Sequence, residues 1–172
     1  SSNNSISYNT INVTSGAPGD GILLNADATA NNLTYNKVFT TDNGIRLYTS
    51  VNNTIANGNI TCTDDSCESI DIDNNANATL LNMTFNQSEI AWGTLGTKNN
   101  ITIQWYVRAN VSWDNGTVIQ GAFVNISNAT NPNPTATNRP MYSNLATDAS
   151  GLTGWNLVTQ FIGNNTFNNS FN

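Results

Sequence analysis

The chain contains no histidine at all. That removes Ser-His-Asp and Cys-His catalysis, and with them haem attachment through a CxxCH motif. Cysteine is nearly absent too, with only Cys62 and Cys67 in 172 residues. Two thiols without histidine cannot complete a structural zinc site. Charge is sparse: Asp, Glu, Lys and Arg together make up 9% of the residues, against roughly 25% in an ordinary soluble domain. The five basic residues are Lys37, Arg46, Lys98, Arg108 and Arg139, and the net charge is −6. Nucleic-acid binding needs clustered cations to meet phosphates, so no such partner is expected. No run of 18 apolar residues occurs, which argues against a membrane-spanning helix. A charged-then-apolar leader is missing as well, and the expectation is a processed or excised extracellular piece.

Asparagine fills the space: it is the commonest residue type in the chain, and it recurs in a pattern. From Asn3 to about Tyr106 an Asn-led opening precedes two apolar residues five apart. The pairs are Ile6 and Ile11, Leu33 and Val38, Ile55 and Ile60, Leu80 and Phe85, with Ile101 and Tyr106 as a weaker fifth. A second alternating run follows each opening: Gly21-Ile22-Leu23-Leu24, Gly44-Ile45-Arg46-Leu47, Ser69-Ile70-Asp71-Ile72 and Glu89-Ile90-Ala91-Trp92. The first anchors, Ile6, Leu33, Ile55, Leu80 and Ile101, keep a nearly even spacing. A period of about 20–30 residues with strand-like alternation is the signature of a solenoid. The expected fold is all-β: a short right-handed parallel β-helix of four to five rungs over residues 1–98. Residues two apart share a strand face, so Ile22 with Leu24, Ile45 with Leu47 and Ile70 with Ile72 are assigned to one interior. Asparagine suits the corners because it tolerates a left-handed backbone, and its amide can bond the next Asn up the stack. The first rung starts without a polar cap, so either a preceding segment or another chain is expected to cover it.

Asn-x-Ser/Thr sequons begin at Asn3, Asn12, Asn32, Asn52, Asn59, Asn77, Asn82, Asn86, Asn100, Asn110, Asn115, Asn125, Asn128, Asn164 and Asn168. That is about twice what a random order of the same composition would give, and it points to covalent N-glycans on an extracellular or cell-surface protein. The alternative is that β-helix corners favour Asn and Thr two apart. Cys62 and Cys67 bracket Thr63-Asp64-Asp65-Ser66 and are expected to close that loop as a disulfide, in keeping with an oxidising compartment. Asp64, Asp65, Asp71 and Asp73 are candidate ligands for calcium, which takes oxygen donors; the competing reading is a solvated acidic face.

Beyond Asn99 the pattern changes. Ile101 to Arg108 alternates over a longer span, and Asp114-Asn115-Gly116 is a hairpin signal between alternating runs. Asn131-Pro132-Asn133-Pro134 breaks the chain, Thr147-Asp148-Ala149-Ser150-Gly151 makes a second turn, and Leu152 to Phe161 reads as a strand. Residues 99–172 are therefore expected to form an antiparallel β module, half of a sandwich or a small Ig-like one, with an Asn-rich tail.

The rungs, with Asn53-Thr54-Ile55 and Gly44-Ile45-Arg46-Leu47, resemble the NosD-like parallel β-helix repeats of archaeal surface proteins. The segment from Trp105 through Asp114-Asn115-Gly116 and Gly121-Ala122-Phe123-Val124 to Gly151 is similar to the carboxypeptidase-regulatory-like or Ig-like module that often follows them. The resemblance covers most of the chain and implies a cell-surface protein; it carries over no catalytic residue. β-Helices also host polysaccharide lyases and hydrolases, and glycoside cleavage needs convergent carboxylates. Here carboxylates gather only around Asp64 to Asp73, with Arg46 one rung below Asp71 as the single basic candidate. The expectation is a non-catalytic structural subunit of a filament, sheath or surface layer, assembled head to tail as a homopolymer. Residues 163–172, which repeat the rung opening, are the candidate strand donor to a neighbour. A carbohydrate-binding adhesin, using Trp92, Trp105, Trp113 and Trp155 as a stacking platform, is the alternative.

Overall fold

The computed structural model of this chain describes residues 1–14, 19–126, 142–164 and 168–170. The sequon at Asn128, the loop residues 15–18, the Pro132 and Pro134 break, and tail residues 165–167 and 171–172 lie outside that description. The chain divides into two compact units: residues 1–104 with 161–169, and residues 105–160 with 170–172.

The first unit is a parallel β-solenoid. Its first rung holds β1 (Ser5–Ser7), β2 (Thr10–Val13) and β3 (Ile22–Asn25). The second holds β4 (Asn32–Thr34), β5 (Lys37–Thr40) and β6 (Asn43–Tyr48), and the third β7 (Asn53–Ala56), β8 (Asn59–Cys62) and β9 (Glu68–Asp73). The fourth runs from β10 (Asn77–Leu81) through a 3-10 turn at Gln87–Glu89 to β11 (Ile90–Trp92), and β12 (Asn100–Val107) opens a fifth. Each strand stacks in parallel on its counterpart in the next rung: β1-β4-β7-β10-β12 in one sheet, β2-β5-β8 in a second, β3-β6-β9-β11 in a third.

The apolar register expected from the alternation is the register observed. Ile22, Ile45, Ile70 and Ile90 stand in one column, and Leu24, Leu47, Ile72 and Trp92 in the next. Ile6, Leu33, Ile55 and Leu80 form a third column, Ile11, Val38 and Ile60 a fourth. From Leu33 to Leu80 the interior members are almost wholly buried, with Leu47, Ile70, Ile72 and Leu80 at 0% exposure, and in the fourth rung Ile90 and Trp92 are half-buried. Burying each such side chain contributes about 1.5–3 kcal/mol, which no single rung could achieve alone.

The fifth opening departs from expectation. Leu80 pairs with Ile103 and Ala78 with Ile101, so Ile103 is the anchor that continues the column. Residues 100–104 also belong to the solenoid sheet rather than to the following module, and the unit boundary falls after Gln104 instead of after residue 98. The same sheet continues beyond β12 with β15 (Asn156–Asn164) and β16 (Asn168–Ser170), so the described part of the tail makes a strand in the chain's own sheet.

Corners use the left-handed backbone. Tyr8, Tyr35, Asn57 and Asn82 occupy one corner of successive rungs, with φ of 59°, 57°, 54° and 52°. The two tyrosine rings stack at 4.8 Å, and the Asn82 amide donates to Asn57 Oδ1 at 2.8 Å. Side-chain stacking along the corner thus offsets a conformation unfavourable for L-residues.

In the second unit the Asp114–Gly116 turn closes a tight hairpin, with Trp113 N–H donating to Thr117 O and Gly116 N–H to Trp113 O. β13 (Phe123–Ile126) pairs antiparallel with β14 (Tyr142–Ala146). Asp148 Oδ1 accepts the Ser150 and Leu152 N–H groups and so shapes the second expected turn. Buried Thr147 and Thr153 tie these pieces together: Thr147 Oγ1 donates to Ile119 O and accepts from Ala122 N–H, and Thr153 Oγ1 accepts from Ala109 N–H. Antiparallel β structure is what the described residues of this unit form.

Candidate functional site

The outer face of the seven-stranded sheet is built from two polar rows. The register places Asn53 opposite Ala78 and Asn77 opposite Asn100, which sets Asn52, Asn77 and Asn100 side by side. Thr54, Thr79 and Thr102 stand in the adjacent row. For Asn77 and Asn100 the pattern is a consequence of strand geometry: residues two apart share a face, so the Asn and the Thr of one sequon both point outward. Asn52 precedes β7 in the left-handed conformation, with φ of 57°, and borders the same face. Three sequons are thereby stacked in register. These six residues, with Asn53 and Ala78, line an open trough of about 470 Å³ that carries no charged group.

Facing the other way, a ladder of amides runs inside the corner. Asn4 Nδ2 and its N–H both donate to Asn31 Oδ1 at 3.0 Å. Asn31 N–H and Nδ2 donate in turn to Asn53 Oδ1 at 2.9 and 3.0 Å, and Asn53 Nδ2 ends the chain on Ala28 O. Asn36 repeats the device, accepting from Asn9 N–H and Nδ2 and donating to Ile6 O. The expected ladder is present, but through Asn31 and Asn36 rather than Asn32; Asn77 and Asn100 of the expected openings belong to the outer row.

The other sequons are spread over the surface. Asn3, Asn12, Asn32, Asn52, Asn82, Asn86, Asn110, Asn115 and Asn125 are exposed, whereas Asn59, Asn77, Asn100 and Asn164 are half-buried. Several use their amides locally. Asn86 Oδ1 accepts from Ser88 and its Nδ2 donates to Glu89 Oε1, Asn115 Oδ1 accepts Thr117 N–H, and Asn125 Oδ1 accepts Asn144 N–H. Asn168 lies in β16.

Cys62 and Cys67 form the expected disulfide across the Thr63–Ser66 loop. Within it Asp64 Oδ1 accepts the N–H and hydroxyl of Ser66, and those bonds hold the Asp64 carboxyl below its ordinary pKa. The four acids proposed for calcium, Asp64, Asp65, Asp71 and Asp73, are not gathered. Asp71 pairs with Arg46 at 2.9 Å on the outer face of β9 and β6, and Asp73 Oδ1 is occupied by Asn74 and Leu95 N–H groups. Among the described residues no group of three or more His, Cys, Asp or Glu is placed to hold a metal ion. Burial raises the Asp71 pKa despite Arg46, and burial followed by repulsion from Asp71 and Asp42 raises that of Glu68.

The four tryptophans do not share an environment. Trp92 and Trp105 are half-buried, and Trp105 Nε1 donates to Gln160 Oε1 at 2.5 Å. Trp113 and Trp155 are exposed, and the Arg108 guanidinium lies 4.5 Å from the Trp155 ring centre. Sequence reading missed that cation–π pair and the Tyr8–Tyr35 stack. Spacing held a clue only for the tyrosines, which are separated by the length of the first rung, as Ile6 and Leu33 are. No family model, curated protein or solved structure matches the chain.

Proposed function

We propose that this chain is a non-catalytic structural subunit of an extracellular, N-glycosylated cell-surface assembly. The observation that carries the reading is the outward stacking of Asn-x-Thr sequons in successive rungs, on a face without charge. The Cys62–Cys67 disulfide supports an oxidising compartment, where such bonds persist. The continuous parallel stack supports a β-helical unit, and antiparallel pairing follows it; the reading proposed for the two is an archaeal NosD-like right-handed β-helix with an Ig-like or carboxypeptidase-regulatory-like module. The assembly mode proposed is head-to-tail addition of subunits, a heterologous contact that does not close. Chemical deglycosylation of the native protein tests the coat: electrophoretic mobility should increase, and unchanged mobility would count against it.

A second reading, a sugar-binding adhesin, is favoured by Trp155. Its ring is exposed, with the Arg108 guanidinium 4.5 Å from the ring centre, and an exposed indole can stack on the apolar face of a pyranose. Glycan-array binding that disappears in Trp155→Ala would select it over the structural reading.

A further inference from the structure

One outer row of the solenoid takes a residue from each rung. Asn3 N–H donates to Thr29 O and Ala30 N–H to Val51 O, which aligns Asn3 with Ala30 and Ala30 with Asn52. The row is therefore Asn3, Ala30, Asn52, Asn77 and Asn100, and its four asparagines all begin sequons. Adjacent members stand one strand spacing apart, about 4.8 Å, and alternate members about twice that. An N-glycan is a bulky, branching substituent, and neighbours at a single strand spacing compete for the same space.

Two features divide the row. Rung two carries Ala30, which cannot be modified, between Asn3 and Asn52. In rung four Asn77, half-buried like Asn100, differs in that its Oδ1 accepts the Asn52 backbone N–H at 2.7 Å, so its amide lies along the seam between rungs. Resting on the glycoprotein reading above, we infer that glycans in this row stand on alternate rungs, at Asn3, Asn52 and Asn100. Asn77 stays unmodified and, with Thr79, forms the polar floor between the two flanking sugars in the trough. The excess of sequons then has two origins. Some are acceptors, and others are the Asn and Thr that a stacked polar face needs in any case.

Glycopeptide mapping of the native protein tests this without any variant. Trypsin cleaves after Lys37, Arg46, Lys98 and Arg108, so Asn3 falls in peptide 1–37, Asn52 and Asn77 share peptide 47–98, and Asn100 falls in 99–108. Electron-transfer fragmentation of peptide 47–98 then reads both positions on one molecule. The expected result is glycan at Asn3, Asn52 and Asn100 with Asn77 bare. Modification of Asn77, alone or together with Asn52, overturns the alternate-rung inference. Glycans found only at sequons outside the row overturn it too, while leaving the glycoprotein reading in place. A chain with no modified sequon anywhere removes both.

Discussion

Replacing Asn53 with Ala should be among the most damaging polar substitutions in the chain. Asn53 is 1% exposed, and its amide meets three groups: Asn31 N–H, Asn31 Nδ2 and the Ala28 carbonyl. Asn31 N–H loses its acceptor when the amide is removed, whereas the Ala28 carbonyl keeps the Val51 N–H and Asn31 Nδ2 keeps Ser1 O at 3.4 Å. An unsatisfied buried group costs about 1–3 kcal/mol, and that is the expected loss. At about 2–4 °C per kcal/mol for a chain of this size, the melting temperature should fall by about 2–12 °C. Urea unfolding followed by far-UV circular dichroism reads this as a lower midpoint with an unchanged m value. Asn53→Asp sharpens the test. A carboxylate still accepts both Asn31 bonds but turns an oxygen toward Ala28 O, so it should be damaging at neutral pH and partly restored in acid. Asn4→Ala is the control, because Asn4 is exposed and sits at the donor end of the ladder. A loss at Asn53→Ala below about 1 kcal/mol, or no larger than that of Asn4→Ala, would refute the ladder as a stabilising element.

Other perturbations probe different parts of the chain. In Gly44→Ala the new methyl would collide with Ile60 Cγ2 and lie 2.5 Å from Ser69 O, which should cost about 1–3 kcal/mol in thermal or urea unfolding. Gly154→Ala, with nothing within 4 Å, should change stability by less than about 1 kcal/mol. Cys62→Ser with Cys67→Ser should cost about 2 kcal/mol, the chain entropy of so short a loop, and reductant should reproduce the effect in the wild type. Glu68 has its pKa raised in the folded chain by burial and by Asp71 and Asp42. Its contribution is therefore fully present below the unfolded-state value near pH 4 and is lost as pH rises through the folded one. Glu68→Gln should flatten that decline in a stability–pH profile and leave the protein more stable than wild type at pH 7.

Much of the solenoid was legible because period-2 alternation constrains every strand at once. Ile45 and Leu47, or Ile70 and Ile72, can share an interior in only one register, and the second anchors all fell where the alternation put them. The Asn-led openings were harder to read, and the reason is physical. Asparagine occurs there in doublets, Asn3-Asn4, Asn31-Asn32, Asn52-Asn53 and Asn99-Asn100, and a slip of one residue exchanges the faces of a strand. Asn4, Asn31 and Asn53 turn inward to the ladder while their neighbours face solvent, and nothing in a doublet says which member does which. The fifth rung failed for a related cause: Ile101 and Ile103 are both buried, so either served as the anchor by pattern alone. Asp71 and Asp73 do lie on the outer side of β9, but their partners, Arg46 and the Leu95 N–H, come from other rungs and leave no open ligand set. The pairing of Arg46 with Asp71 was legible, because the two occupy equivalent positions one rung apart.

The central claim is that this solenoid serves as one unit of a glycosylated surface polymer. Electron microscopy of native cell-surface material, with the chain located by a specific antibody, tests it most directly. The account predicts labelled filaments, sheaths or layers with a regular subunit repeat and a glycan coat that deglycosylation thins. Discrete, unassembled particles carrying the label would contradict it.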